Sequence, residues 1–447
     1  MKSEHAIVMG ASMSGLLAAR VLSKHFQRVT LMERDALPSG VENRRGVPQG
    51  RHTHGLLASG LRVLEQLFPD FTKQATEEGA LPGDVVRDVC WFFEEGNLAQ
   101  PTSGLNGLLA SRPLLENLVR RRVLALPNLA LEQDCQVDGL LATPDRDRIT
   151  GVSCKSGAVS ADLVVDCTGR GSKTPQWLET LGYLKPAEER VQVAIAYTTR
   201  WFRRQPHQLN GKFGAIVGPT PTGKRGGAML LQEPGDRWTC TLFGHFGNQA
   251  PEDVPGFLEY ASTLPSPEIY QTIRDAEPIS EASSTRFPHH QRRRYEKLKR
   301  FPAGFLVMGD GICSFNPIYG QGMSVAAQEA MELDALLAES QQDFALRFFE
   351  RIASVVDIPW SIAVGSDLRI KETVGPRSTA TTIINGYIAR LQRAAHNDPM
   401  LSVAFHNVAN LLAPPPTLLH PKMMLRILRA NWNAPKAASS QAHSQTA

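Results

Sequence analysis

Chemistry in this sequence starts at Gly10-Ala11-Ser12-Met13-Ser14-Gly15, a GxGxxG fingerprint with serine at its second glycine. Gly10 permits a tight turn after a strand, and position 12 must stay small so that the backbone can approach a pyrophosphate. Gly15 lets the following helix lie close to that strand. The N–H groups that open the helix lack intrahelical acceptors and are free to meet phosphates. Glu33 closes the next strand-like run, where a carboxylate accepts hydrogen bonds from a ribose. A glutamate there favours an adenosine with a free 2′-OH, as in FAD or NAD rather than NADP. Arg34 beside it, and Arg51 in the basic loop that follows, are further candidates for cofactor contact.

A second glycine-rich segment runs Gly309-Asp310-Gly311-Ile312-Cys313-Ser314-Phe315-Asn316-Pro317-Ile318-Tyr319-Gly320-Gln321-Gly322-Met323-Ser324. It resembles the GDxxxxxxPxxGxG signature of the FAD-dependent monooxygenases typified by p-hydroxybenzoate hydroxylase. The resemblance gives Asp310 the flavin ribitol and sets Pro317, Gly320, Gln321, Gly322 and Met323 along the pyrimidine side of the isoalloxazine. The physics agrees: glycines at 320 and 322 open a backbone path, and a helix starting near Gly322 turns its positive end toward the anionic reduced ring. Arg112 falls where the family places an arginine near the FAD phosphates; an exposed helix-start arginine is the alternative.

Asp166-Cys167-Thr168-Gly169-Arg170-Gly171-Ser172 occupies the place of the family's GADGxxS motif. Together these segments carry the resemblance over residues 5 to 340. Within it, Arg45-Gly46-Val47-Pro48-Gln49-Gly50-Arg51-His52-Thr53-His54 is similar to a branch of flavin epoxidases from polyether biosynthesis, itself related to squalene epoxidase. Two positions depart from the aromatic hydroxylases. Thr168 replaces the acid of the GADG motif, so reducing equivalents come from NAD(P)H directly or through a separate flavin reductase. Ser324 stands where those enzymes often carry asparagine.

The implied reaction is insertion of one oxygen atom from O2 into a small, largely apolar organic substrate, by epoxidation or hydroxylation in secondary metabolism, through a flavin C4a-hydroperoxide. Such chemistry belongs to the cofactor, which accounts for the lack of an acid pair or nucleophile–base set. His52 and His54 are the only candidates singled out for a catalytic role, as donors to a flavin or peroxide oxygen. With no third ligand at metal-like spacing they make no metal site. A flavin-dependent reductase of prenyl chains is the alternative, because Asp-Cys-Thr-Gly-Arg is also similar to geranylgeranyl reductases. A flavin halogenase lacks support, since the WxWxIP motif is absent. The basic run Arg292-Arg293-Arg294-Tyr295-Glu296-Lys297 reads as a solvated surface, with docking of a reductase as its other reading.

The elements that must position these groups follow from apolar patterning. His5–Met9, the helix after Gly15 and Arg28–Met32 give a Rossmann-like βαβ start. Several strand-like runs between Val191 and Phe246, parted by Gly/Pro turns, predict a mostly antiparallel sheet forming the floor of a substrate cavity. The remainder reads as helical, broken at Pro359, Pro376 and Pro414-Pro415-Pro416, with Trp360 and Phe405 closing the cavity. The expected architecture is α/β: an FAD-binding domain of the GR2 type (1–185 and 291–345), an inserted β-sheet substrate domain (186–290), a helical C-terminal region (346–434) and a disordered tail (435–447). Net charge of +4 gives no argument for nucleic acid or a membrane surface. No secretory signal or transmembrane segment is read, and six scattered cysteines suit reduced thiols in the cytoplasm.

Overall fold

The computed structural model describes residues 3–339 and 343–432; the tail assigned to 435–447 lies outside them. Two sheets organise the chain. The first is parallel and five-stranded, in the order Phe305–Val307, Leu163–Asp166, β1 (Ser3–Met9), β2 (Phe26–Met32), Leu129–Glu132. Phe305–Val307, Leu163–Asp166, Ala6–Met9 and Val29–Met32 are short apolar runs buried on both faces, as parallel strands under helices must be, while the edge strand Leu129–Glu132 is half-exposed. Helix α1 (Met13–His25) connects β1 to β2 and buries Leu16, Leu17, Val21 and Leu22 between the sheet and the helix Gly322–Leu337.

Register then brings the chemistry together. Met9 pairs with Asp166, and Asp166 with Val307, so the fingerprint loop, the Asp166–Ser172 loop and the Gly309 loop leave neighbouring strands at one edge. Ligands of open α/β sheets bind outside the carboxyl ends of the strands. The chain follows that rule with three loops at once.

The second sheet has eight strands and is antiparallel except where Gly214–Val217 runs parallel to Val89–Phe93. Its long members are Ala187–Arg203, Arg225–Gln232, Arg237–His245 and Ser283–Arg294. It also takes in residues 89–97 and 313–314, outside the 186–290 span. Helices Val254–Ser262 and Glu268–Ile273 cover one face around Trp238, Phe202 and Phe257.

The helix break expected at Pro359 does not occur. One helix runs from Phe344 to Asp367 with Pro359 inside it and buried. A proline removes one backbone hydrogen bond, and burial of Phe348, Phe349, Ile352 and Val356 along the same helix offsets that loss. Helices Thr379–Ala394, Pro399–Ala409 and Pro421–Trp432 complete the C-terminal region around a small core of Leu391, Leu401, Leu418 and Ile427. Among the described residues no helix is long and apolar enough to cross a membrane.

Candidate active site

One continuous cavity of ≈ 1550 Å³ joins the loops of the parallel sheet to the face of the large sheet. Ligand pockets usually measure about 300–1,000 Å³, so this space exceeds the need of one drug-sized molecule. Its first part is lined by Gly10, Ser12, Glu33, Arg34, Arg112 and Asp310, and its middle by Pro317, Gly320, Gln321, Gly322 and Met323. Of the cofactor residues read from sequence, two lie apart from the lining. Arg51 is exposed on the outside of its loop. Gly15 sits behind the fingerprint, where a Cβ would meet the Gly10 carbonyl oxygen at 1.7 Å, which is the packing role expected of it.

Charge in the fingerprint region is held by a buried network. Glu33 accepts the Ala11 N–H at 2.9 Å and pairs with Arg44 at 3.3 Å. Arg44 and Arg112 both engage Glu116, at 3.1 Å each, and Arg112 donates to the Ser12 hydroxyl at 2.8 Å. Arg112 is therefore buried against the fingerprint, not exposed at a helix start. Arg44, which sequence reasoning passed over as part of a polar loop, is the link between Glu33 and the helix Arg112–Leu124. Its signal was only its place in the loop after Glu33.

Asp310 faces the cavity interior, and enclosure by protein pushes its carboxyl above the usual range, opposed by the Arg112 and Arg170 guanidinium groups. Gly320 has φ +64, in the left-handed region that favours glycine, and nothing lies within 4 Å of where a Cβ would stand at Gly322. That open space, at the N-terminus of the helix Gly322–Leu337, is a cradle for a flat group. The buried Gln321 Oε1 and Arg170 Nη2 have no hydrogen-bond partner among the described residues, as polar atoms awaiting a ligand would. These residues fit a flavin.

Beneath the cradle, Asp367 ends the helix Phe344–Asp367 and holds the Pro317 loop. Its carboxylate accepts from His290 Nε2 at 2.7 Å, Asn316 Nδ2 at 2.9 Å and the Tyr319 hydroxyl at 2.7 Å. The Asn316 N–H donates to His290 Nδ1 at 3.1 Å, which leaves Nε2 as the ring's donor to Asp367. Burial and the neighbouring carboxylate raise the Tyr319 phenol well above its usual range, so it stays a donor. Removing one member of such a buried set costs about 3–5 kcal/mol, because the rest lose their partners. Asp367→Ala should lower thermal stability and loosen FAD binding, with Asp367→Asn milder in both. Melting curves with and without FAD check this; equal flavin affinity in the alanine variant would remove Asp367 from the cofactor seat.

The histidine loop is seated on the large sheet by threonines. The cross-strand pair Thr199–Thr241 bonds at 2.6 Å, and Thr241 bonds Thr53, whose hydroxyl reaches backbone carbonyls at 228 and 239. Thr199 is left to accept from His52 Nδ1 at 2.8 Å. His54 Nδ1 faces the His52 carbonyl at 2.9 Å and must carry the proton. Burial lowers both imidazoles to about 4, so both are neutral near pH 7 with Nε2 unprotonated. In this arrangement each ring presents Nε2 as an acceptor.

Another correction concerns Arg292-Arg293-Arg294. Arg292 is 1% exposed and Arg293 7%, and they tie their strand to Asp357 and Glu188. Arg293 also donates to the Gly311 and Arg170 carbonyls, bracing two cavity loops. The run is an internal strut, neither a solvated face nor a docking patch. Asp166 likewise works inside its loop, accepting from Thr168, Ser172 and Thr174.

The far part of the cavity is apolar. Trp91, Phe93, Ile216 and Phe243 come from the large sheet, and Ile362 and Phe405 from the C-terminal helices. Trp360 lines it too, so both aromatics expected to close the cavity do border it.

No family model matches the chain. Among curated proteins it is 32% identical over 432 residues to protein Rv3254 of Mycobacterium tuberculosis, covering 92% of this chain and 90% of that protein. It is 25% identical over 367 residues to kynurenine 3-monooxygenase of Salinispora tropica, covering 78% and 76% respectively. Among solved structures, PqsL from Pseudomonas aeruginosa, described as a probable FAD-dependent monooxygenase, superposes with a TM-score of 0.62. The identity is 15%, with 82% of this chain and 97% of that one covered.

Proposed function

From a chain that belongs to the FAD-dependent monooxygenases typified by p-hydroxybenzoate hydroxylase, and to one family with protein Rv3254, we propose an enzyme that inserts one oxygen atom from O2 into a largely apolar organic substrate. The observation that carries this reading is the single cavity, polar and loop-lined at the dinucleotide end and apolar at the other. FAD, when bound, supplies the reduction of O2 and the transfer of one of its oxygen atoms. The protein's share is to bind, orient and keep water out.

Each region of the site has a part in that task. Ser12, Arg112 and the first N–H groups of α1 would take the pyrophosphate, and Glu33 the ribose. Asp310 would hold the ribitol, and the start of the helix Gly322–Leu337 would stabilise negative charge on the reduced ring. The apolar walls around Trp91, Phe93 and Phe405 would exclude water and receive the substrate. His54, with Nε2 as acceptor, would orient a donor group. Similarity of the 45–54 loop to flavin epoxidases favours epoxidation over hydroxylation. Reducing equivalents would come from NAD(P)H directly or through a flavin reductase, Thr168 being bound within its own loop at 2.9 Å. Six unpaired cysteines fit a cytoplasmic enzyme of secondary metabolism.

Stopped-flow spectroscopy tests the proposal. The FAD-loaded protein, reduced without air and mixed with oxygenated buffer, should pass through a transient spectrum distinct from reduced and oxidised flavin. Sluggish reaction with O2, together with turnover of prenyl chains in its absence, would replace the monooxygenase by a reductase.

A further inference from the structure

Charge and apolar surface concentrate at one place, where the cavity meets the C-terminal helices. Residues 373–432 contain six Lys or Arg (Arg377, Arg390, Arg393, Lys422, Arg426, Arg429) and one acid, Asp398. Arg393 is paired with Glu94 and Arg377 donates to nearby backbone carbonyls, which leaves Arg390, Lys422, Arg426 and Arg429 as the cations of this face. Of the twelve large apolar side chains exposed among the described residues, eight lie between 383 and 432.

The helix Pro421–Trp432 shows how these combine. Met423, Ile427 and Ala430 turn inward onto the small C-terminal core. Leu425, Leu428 and Trp432, at 54%, 63% and 90% exposure, form a second apolar stripe facing out. Lys422, Arg426 and Arg429 fill the remaining arc, at a helical spacing that sets them along one edge. A helix with apolar residues on the solvent side and cations flanking them is the pattern of a segment lying in a membrane interface.

The patch is also continuous with the cavity. Ile383, Ile384, Leu419 and Met424 are more than 40% exposed and line the cavity at the same time. They belong to three neighbouring elements, the helix Thr379–Ala394, the turn Pro415–Leu419 and the helix Pro421–Trp432, which pack on one another. We propose that this face docks peripherally on an anionic lipid bilayer, with the cavity mouth against the lipid, so that apolar substrate enters from the membrane. The docking stands on charge and exposure alone; only the substrate route rests on the function proposed above.

Charge selects this occupant over a second copy of the chain. A two-fold interface would set the same cations face to face across the seam, at a repulsive cost. Lys422 and Arg429 have no ion pair among the described residues, and Arg426 shares the single Asp398. Anionic headgroups supply the missing partners, and acyl chains cover the leucines and the tryptophan.

The test needs no turnover. FAD-loaded protein is sedimented with vesicles of phosphatidylcholine containing phosphatidylglycerol, and with vesicles of phosphatidylcholine alone. Partition should be at least about tenfold stronger on the anionic vesicles and weaken in high salt. The double variant Leu425→Glu, Leu428→Glu lies outside the cavity lining. It should lose at least about tenfold in partition, with FAD content and melting temperature unchanged. Absence of binding to anionic vesicles, or equal binding of the double variant, overturns the proposal. So does a stable dimer that the double variant dissolves, which would give the face to self-association. Loss of monooxygenase activity in an assay without vesicles would bear on the proposed function and leave the partition result standing.

Discussion

Gly15→Ala is expected to cost the protein its FAD and part of its thermal stability. A Cβ at this position would lie 1.7 Å from the Gly10 carbonyl oxygen and 2.9 Å from its carbon. Both are backbone atoms, so no rotamer relieves the clash. Gly10 is itself held at φ +95, with its own Cβ position 2.7 Å from the Cys167 carbonyl oxygen. Relief requires α1 to move off β1, and the helix carries with it the N–H groups proposed to meet the pyrophosphate. Overpacking of this kind costs about 1–3 kcal/mol. The same displacement should weaken FAD binding at least about tenfold, the equivalent of ~1.4 kcal/mol. Flavin retained after gel filtration, together with a melting curve, measures both. A variant that keeps its flavin at parental affinity would show that α1 does not hold the cofactor.

Glu329→Gln should remove a pH dependence from folding. Glu329 lies on the helix Gly322–Leu337, fully buried, with Oε2 accepting the Gly309 N–H at 2.6 Å. Burial, helped by the nearby Asp310 charge, raises its carboxyl from 4.5 to about 8, against the opposing Gly309 hydrogen bond. Between those two values the folded protein holds a proton that the unfolded chain has released. Stability therefore falls as pH rises through this window, by up to about 1.4 kcal/mol per pH unit, and is unaffected by this group below it. Glutamine keeps a carbonyl oxygen for Gly309 and cannot ionise. The variant should match the parent near pH 5 and exceed it near pH 8, in urea unfolding with FAD held saturating. Parallel pH profiles for the two proteins would mean that Glu329 ionises near its ordinary value in the fold.

Much of the cavity's loop-lined end was legible because its signals are local. Gly10, Ser12, Gly15 and Glu33 answer to one turn and the strand after it, and Gly320 and Gly322 to one loop and helix start. Local spacing also gave the helix from Arg112 and the sheet built on the 187–245 strands. What stayed hidden depends on residues distant in sequence. Asp367 meets Asn316 across 51 positions and His290 across 77, and its one trace in the sequence is an acid ending an otherwise apolar stretch. Arg44 gains meaning only when the helix Arg112–Leu124 brings Glu116 to it. Arg292 reads as surface until the helix Phe344–Asp367 supplies Asp357. Pro359 misled for the same reason, since a local preference against helix yields to burial along a long one.

The hold of Asp367 on Asn316 and Tyr319 also bears on how the protein is made. The flavin loop lies about two-thirds of the way along the chain, yet its anchor is delivered some fifty residues later. A nascent chain that has released only the parallel sheet and the Gly309 segment from the ribosome presents the fingerprint with its opposite wall unfastened. Closure of that wall waits for the helix ending at Asp367. Any piece of the chain that ends before Asp367 lacks the partner of Asn316 and Tyr319, however complete its motifs look on paper.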